Sequence, residues 1–297
     1  MEIFKEAQKN FDYMVRIRRH MHEYPEMTGQ EFETLEFIKK ELDALGIEYV
    51  EVPDGGIVGQ IHGGKPGKTV LMRADMDALP IQENTKNLCC DKLCVSKNDG
   101  ISHACGHDSH TAMLLGAAKL LKEHEDEIEG TVKICFQPNE ETFGGAKAMI
   151  EAGVLENPHV DAALGMHSQS ASDYPTGTIM HTTGPSAASA DGFKVIVHGK
   201  GAHGARPEDG IDPVNILAHI LIALQTINSR ERNQKEPLIL TIGQIIAGDA
   251  CNIIPERGYF TGTIRTFNQQ VREHAKRRFI EIVNGMCATF GGHADIE

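Results

Sequence analysis

HACGHDSHTAMLLGAAKLLKEHEDEIEGTVKICFQ, His103 to Gln137, decides the fold. Its middle, TAMLLGAAKLLKEH, repeats apolar residues at helical spacing with Ser109 placed as an N-cap, and it leads into TVKICFQ, a short apolar run with the composition of a buried strand. A helix feeding a buried strand is half of an α/β unit. The same stretch opens with a thiol, three imidazoles and a carboxylate, a density that no packing requirement explains. Thiolate, imidazole and carboxylate are the side chains that hold transition-metal ions.

Outward from this stretch the pattern repeats. Upstream, helical spacing of Phe4, Phe11, Met14, Val15 and Ile17 predicts a helix over 2–22, and Phe32, Leu35, Ile38, Leu42 and Leu45 predict a second over 29–45, stopped by Gly46. The period then shortens: runs at 47–52, 57–62 and 68–74, punctuated by Pro53, Gly55-Gly56 and Gly63-Gly64, predict strands joined by tight turns. Downstream, a helix near 144–152 precedes a strand over 161–167. Alternating strands and helices predict an α/β domain, a mostly parallel sheet with helices on both faces, over residues 1–184. Residues 185–297 carry strands FKVIVHG, LILTIGQII and YFTGTIRTF and helices near 211–228 and 268–290, the pattern of a separate α+β domain.

The chemistry-bearing residues fall at strand ends. Asp75 and Asp77 follow the strand ending near Ala74, Glu140 and Glu141 follow the one ending near Gln137, and His167 closes the one beginning at Asp161. In open parallel sheets, ligands gather at the carboxyl ends of strands, so these segments are expected to converge on one crevice. Cys105 and His107 flank a glycine whose backbone freedom lets a turn aim both at one site, and a thiolate can bridge two cations. Of two adjacent glutamates, one can bind metal while the other moves protons. In the second domain, His203, Asn252 and Arg265 are donors suited to an anionic transition state or a substrate carboxylate.

Composition bounds the partners. A net charge of -13 argues against nucleic acid or an anionic membrane as a partner, since binding either needs clustered Lys/Arg. The N-terminus is amphipathic without a cleavage site, and no apolar run reaches membrane-spanning length, which predicts a cytoplasmic protein. Seven cysteines, an odd number, fit reduced thiols better than a disulfide framework. Cys89, Cys90 and Cys94 lack the paired second half of a zinc site, and the vicinal Cys89-Cys90 lacks the C-x-x-C spacing of a redox motif.

The motifs MRADMDALPIQE, SHACGHDSHTAMLLGAAKLL, FQPNEETFGGAKAMIEAGVL and HGKGAHGARPEDGIDP resemble the aminoacylase-type metallopeptidases, in the amidohydrolase branch of hippurate hydrolases, indole-acetyl-amino-acid hydrolases and N-acetyldiaminopimelate deacetylases. The resemblance runs through the whole chain. It implies a di-metal catalytic domain interrupted by a lid or dimerisation domain, a homodimer, and hydrolysis of the amide of an N-acyl amino acid by a metal-activated water. It implies Cys105, His107, Glu141 and His167 as metal ligands with Cys105 bridging, Glu140 as general base, Asp75 and Asp77 as support for the ligands, and His203, Asn252 and Arg265 as substrate-binding groups. Two divalent ions are expected, Mn²⁺ or Zn²⁺, with Co²⁺ and Ni²⁺ also suited to such ligands. Two departures stand out. The loop NTKNLCCDKLCVSKNDG is longer and richer in cysteine than the branch leads one to expect. Relatives also return from the second domain to the catalytic one for a further metal-ligating His, a role for which His293 in the terminal GGHADIE is a poor substitute. The alternative expectation is therefore a non-catalytic fragment that keeps a partial metal site and a dimerisation domain.

Overall fold

The computed structural model of the chain describes residues 2–52, 55–87, 90–169 and 174–297. The chain divides into two compact units, Met1–Thr176 and Gly177–Glu297. The N-terminal unit holds helices α1 (Ile3–Lys9), α2 (Phe11–Glu23), α3 (Phe32–Leu45), α4 (His107–Glu123) and α5 (Gly145–Glu151), and strands β1 (Glu48–Val52), β2 (Gly56–His62), β3 (Lys65–Asp75), β4 (Glu129–Gln137) and β5 (Ala162–Gly165). The helix expected over 2–22 is two helices that meet at Asn10. Gly46 ends α3 in the left-handed conformation, as its place in the sequence predicts.

The five strands lie in the order β1-β2-β4-β3-β5. β3 pairs in parallel with both β4 and β5, while β1 with β2 and β2 with β4 are antiparallel. The sheet is thus α/β and mixed, and its antiparallel side is the departure from the mostly parallel arrangement expected. The reason is local: the short connections from β1 to β2 and from β2 to β3 reverse the chain each time, so β4, parallel to β3, runs antiparallel to β2.

Strand periodicity then sorts the core. On β4, Ile134 and Phe136 face one way, packed with Ile57 and Ile61 of β2 and with Ile17, Ile38, Leu42 and Leu115 from α2, α3 and α4. Cys135 faces the other way, with Val58, Leu71 and Met149 of α5. Lys133 shares that second direction; it is buried, and its Nζ donates to the Val154 carbonyl at 3.0 Å. Burial pushes its pKa down, so the bond satisfies an ammonium that would otherwise be costly to bury.

The C-terminal unit is a four-stranded antiparallel sheet. Its strands are β6 (Ser189–His198), β8 (Leu238–Ala247), β10 (Arg257–Thr266) and β11 (His293–Ile296), in the order β11-β6-β10-β8, with a short pair formed by β7 (Ala202–His203) and β9 (Ile253–Ile254). Helices α6 (Pro213–Thr226) and α7 (Gln269–Thr289) cover one face, packing Ile216, Ile220, Leu224, Phe279 and Val283 against Val195, Val197, Phe260 and Leu240. Sequence periodicity missed β11, because four residues are too few to show it. Among the described residues, no helix is long and apolar enough to cross a membrane.

Arg272 of α7 clamps Asp191 of β6, with Nε donating to Oδ2 at 2.7 Å. This pairing holds the Asp191 carboxyl below its ordinary value of 3.8. A depressed folded-state pKa adds stability that is present above the unfolded pKa and is lost as pH falls through the folded one. Asp191→Asn should therefore lower stability at neutral pH by about 1 kcal/mol or less, since the pair is part-exposed. The gap from wild type should close below pH 3.8, read by urea unfolding at both pH values.

Candidate metal centre

The turn before α4 sets the geometry. Gly106 adopts φ 90°, and a Cβ built there would lie 2.2 Å from Ser168 Oγ, so this position requires glycine twice over. The reversal lets His107 begin the helix, so the N-cap is Gly106 and not Ser109, as the sequence had suggested. Ser109 instead donates its N–H to Asp108 Oδ1 at 2.8 Å.

His107 is fully buried and points inward from the first turn of α4. Its Nδ1 donates to the Asp77 carbonyl at 2.9 Å and lies 3.1 Å from Asp77 Oδ1, which leaves the Nε2 lone pair free. Among the described residues, Nε2 has no hydrogen-bond partner, and neither has the buried Oε1 of Glu141, 3.8 Å away. Glu140 Oε2 stands 4.0 Å from the same nitrogen and Asp75 Oδ2 3.6 Å from it. Cys105 Sγ lies 3.4 Å from His167 Nε2, whose ring is held by Nδ1 donating to the Ser168 carbonyl at 2.7 Å. Three overlapping groups have donor atoms within 4.8 Å of one another: Cys105, His107 and His167; His107, Glu140 and Glu141; and Asp75, His107 and His110. Orphaned buried donors facing each other over this distance, in a mixed S/N/O set, fit a divalent transition ion.

The electrostatics point the same way. Burial, with Glu141, Glu140 and Asp75 nearby, pushes the Cys105 thiol up to about 12. Burial and the Glu141 charge likewise raise Glu140. Burial opposes ionisation of Asp77, but His107, the Glu141 N–H at 3.0 Å and Thr28 Oγ1 at 2.8 Å outweigh it and hold its pKa below the ordinary value. One carboxylate thus orients an imidazole and fixes the backbone of Glu141.

Asp75 and Asp77 sit at and just beyond the end of β3, and Glu140 and Glu141 in the turn after β4. His167 does not close its strand: β5 ends at Gly165, and His167 lies two residues further, in extended chain whose Ser168 is tied to α4. His110 accepts from Ser168 N–H at Nε2 (2.8 Å) and donates from Nδ1 to Asp75 Oδ1 (2.6 Å), so both of its nitrogens are committed. Burial opposes ionisation of Asp75 as well, yet His110, Arg73 and His107 bring it to about 2. His103 is buried with no hydrogen-bond partner on either nitrogen among the described residues, and burial lowers its pKa to about 4.

In the C-terminal unit, the exposed His203 and Asn252 meet where β7 pairs with β9, Gly204 N–H donating to the Asn252 carbonyl at 2.8 Å. Arg265 is exposed on β10.

Sequence reasoning missed a polar network behind the centre. The buried carboxylate of Asp108 takes His22 Nδ1 at 2.7 Å and Arg18 Nε at 2.9 Å. His22 Nε2 meets Glu83 Oε1 at 2.9 Å, and Glu83 also accepts from Lys92 and from the Ser96 N–H. The long loop between Asp77 and His103 is thereby anchored to α2 and to the start of α4. The only sequence signal was an acid beside His107. Cys94 of this loop is buried against α2, where its Sγ donates to the Arg19 carbonyl at 3.5 Å; Cys89, part of the vicinal pair, lies outside the described residues.

A mixed sheet whose strand ends gather thiol, imidazole and carboxylate defines a metal-dependent hydrolase. The model of Peptidase family M20/M25/M40 matches residues 71–293, and the chain belongs to that family. It is 44% identical over 291 residues to thermostable carboxypeptidase 1 of Saccharolobus solfataricus, covering 96% of this chain and 72% of that protein. It is 43% identical to N-acetyl-L-cysteine deacetylase of Bacillus subtilis, covering 96% of this chain and 66% of that one. The crystal structure of the Bacillus subtilis YXEP protein, a dinuclear metal-binding peptidase of the M20 family, superposes with a TM-score of 0.78 at 36% identity, covering 96% of this chain and 72% of that one. The chain is an enzyme of this hydrolase family.

Asp77→Asn turns an amide NH₂ toward at least one of the three donors that the carboxylate now satisfies, His107 Nδ1, the Glu141 N–H and Thr28 Oγ1. Metal affinity is expected to fall roughly 10- to 100-fold, read by titration calorimetry with Zn²⁺ or Mn²⁺. Unchanged affinity would separate Asp77 from the centre.

Proposed function

We propose that the chain hydrolyses the amide bond of N-acyl amino acids at the centre built from Cys105, His107, Glu141 and His167, with Glu140 as the general base. The observation that carries this reading is the pair of buried, partnerless donors, His107 Nε2 and Glu141 Oε1, facing each other beside a raised Glu140. The name of the deacetylase relative supports the substrate class, and the description of the YXEP protein as dinuclear supports two ions. Mn²⁺ or Zn²⁺ suits this donor set, with Co²⁺ and Ni²⁺ also accommodated. Bound there, the ions supply Lewis-acid polarisation of the scissile carbonyl and lower the pKa of water. Cys105 would be one of the residues that hold them, and its thiol would ionise in their field. Asp77 holds the His107 tautomer, and Asp75 acts through His110 and Ser168 on the segment carrying His167.

Glu140 takes the proton of the attacking water and delivers it to the leaving nitrogen. Burial and the Glu141 charge raise its pKa, which makes it a stronger base toward that water. His203, Asn252 and Arg265 bind the substrate, Arg265 pairing with its carboxylate and His203 and Asn252 donating to the oxyanion. Glu140→Gln should lower turnover of N-acetyl and N-benzoyl amino acids about 10²- to 10⁴-fold while metal content stays unchanged. Full activity in that variant would remove Glu140 from the reaction. The alternative reading is a non-catalytic role with a partial metal site; the chain spans 72% and 66% of the lengths of the two relatives named above. Two bound ions with measurable turnover would exclude it.

The partner expected beyond the substrate is a second copy of the chain, joined through the C-terminal unit. The sheet-edge strand β8 supports this, since it exposes Ile239, Ile245 and Ile246 along ten residues. Sedimentation equilibrium should give a dimer that Ile245→Lys weakens, and a monomer at all concentrations would reject it. The free thiols of Cys94, Cys105, Cys135, Cys251 and Cys287 support a reducing, cytoplasmic setting.

A further inference from the structure

The open face of the C-terminal sheet carries a second cluster of metal-ligating side chains that the amidohydrolase reading does not use. β11 pairs with β6 in a register that sets His293 directly opposite His198, so both side chains leave the same face. Their rings stack with centroids 4.7 Å apart and planes 9° from parallel. Asp295, two residues along β11 and therefore on that face, places Oδ2 2.8 Å from His198 Nε2. His198 thus touches both His293 and Asp295, while the three ligand atoms stand wider apart than the 4.8 Å of the N-terminal groups. An open cavity of about 980 Å³, lined in part by His198, Gly199 and His293, adjoins them and gives room for water in any remaining ligand positions.

We propose that His198, His293 and Asp295 form a surface site for a divalent transition ion such as Zn²⁺ or Ni²⁺, distinct from the centre in the N-terminal unit. The chemistry is that of borderline ions, which take imidazole nitrogen and carboxylate oxygen together. In a tetrahedral site with bonds near 2.1 Å, two ligand atoms lie about 3.4 Å apart. The His198–Asp295 pair reaches that separation by opening about half an ångström, and the ion replaces the proton the two now share. His293 supplies the third ligand by turning its ring about the Cβ–Cγ bond, which leaves the backbone pairing intact. Arg257 stands opposite His198 on β10, in the same row across the sheet, and its charge opposes a cation. Asp295 offsets that charge, so the carboxylate is needed for affinity and not only for geometry. An ion held there would tie the last strand of the chain to the sheet.

The test uses the full chain, stripped with chelator and titrated with Ni²⁺. Calorimetry should count one more ion on wild type than on His198→Ala or His293→Ala, and Asp295→Asn should weaken that class of site by tenfold or more. His159→Ala removes an exposed histidine of the N-terminal unit and should leave the count unchanged. In wild type, Ni²⁺ should also protect His198 and His293 from acylation by diethyl pyrocarbonate, read by peptide mass spectrometry. His293→Gln keeps the shape of the side chain and serves if the alanine variant fails to fold. Equal counts in wild type and both His293 variants, an equal loss in His159→Ala, or no protection of the pair would overturn the proposal. None of these outcomes depends on the N-terminal centre being active.

Discussion

Negative charge gathered out of water is the constraint on which the N-terminal unit depends. Asp75, Asp77, Glu140, Glu141 and the Cys105 thiol crowd the ends of β3 and β4 and the turn before α4. Burying that many ionisable groups is unfavourable unless each has a partner or a cation stands among them. The protein meets part of the demand itself. Arg73, His110 and His107 keep Asp75 ionised, and His107, Thr28 and the Glu141 N–H do the same for Asp77. The remainder is visible as groups driven toward their neutral forms, Cys105 and Glu140. A set of donors that cannot all ionise together unless a cation joins them is what the proposed chemistry requires.

The surrounding architecture serves this arrangement. Parallel pairing of β3 with β4 brings Asp75 level with Gln137, so the two acidic turns emerge side by side. Helix α4 then crosses with its first turn against Asp77 and Asp75, giving one histidine to each carboxylate: His107 to Asp77 and His110 to Asp75. Behind them, Asp108 fastens the same turn to α2 through His22 and Arg18. A backing of this kind would hold the proposed ligand atoms in position ahead of an ion, which favours tight binding.

Much of this was legible in the chain. Helix and strand periods marked nearly every element to within a few residues, because an amphipathic period is a local property that burial on one face enforces. The boundaries that moved did so where a backbone conformation or a short pairing decided the matter: the left-handed Gly106 started α4 early, β5 stopped before His167, and β11 was too short to show a period. The Asp108–His22–Glu83 network was not legible, since it joins residues that are neighbours only after α2 and α4 pack together.

By itself, then, the sequence determined the class of fold, the kind of chemistry and the turns that bear it, because residue type and spacing are written locally. Sequence motifs singled out His107 among the three imidazoles in HACGHDSH, but only the tertiary structure showed what each ring nitrogen meets. His110 is locked between Asp75 and Ser168, His103 is sealed in the interior, and His107 alone turns an unpaired Nε2 toward the glutamates. The physical reason is that a histidine's role is set by what its second nitrogen meets. Here those partners come from strands and loops about thirty or more residues away, brought to α4 by the packing of the sheet.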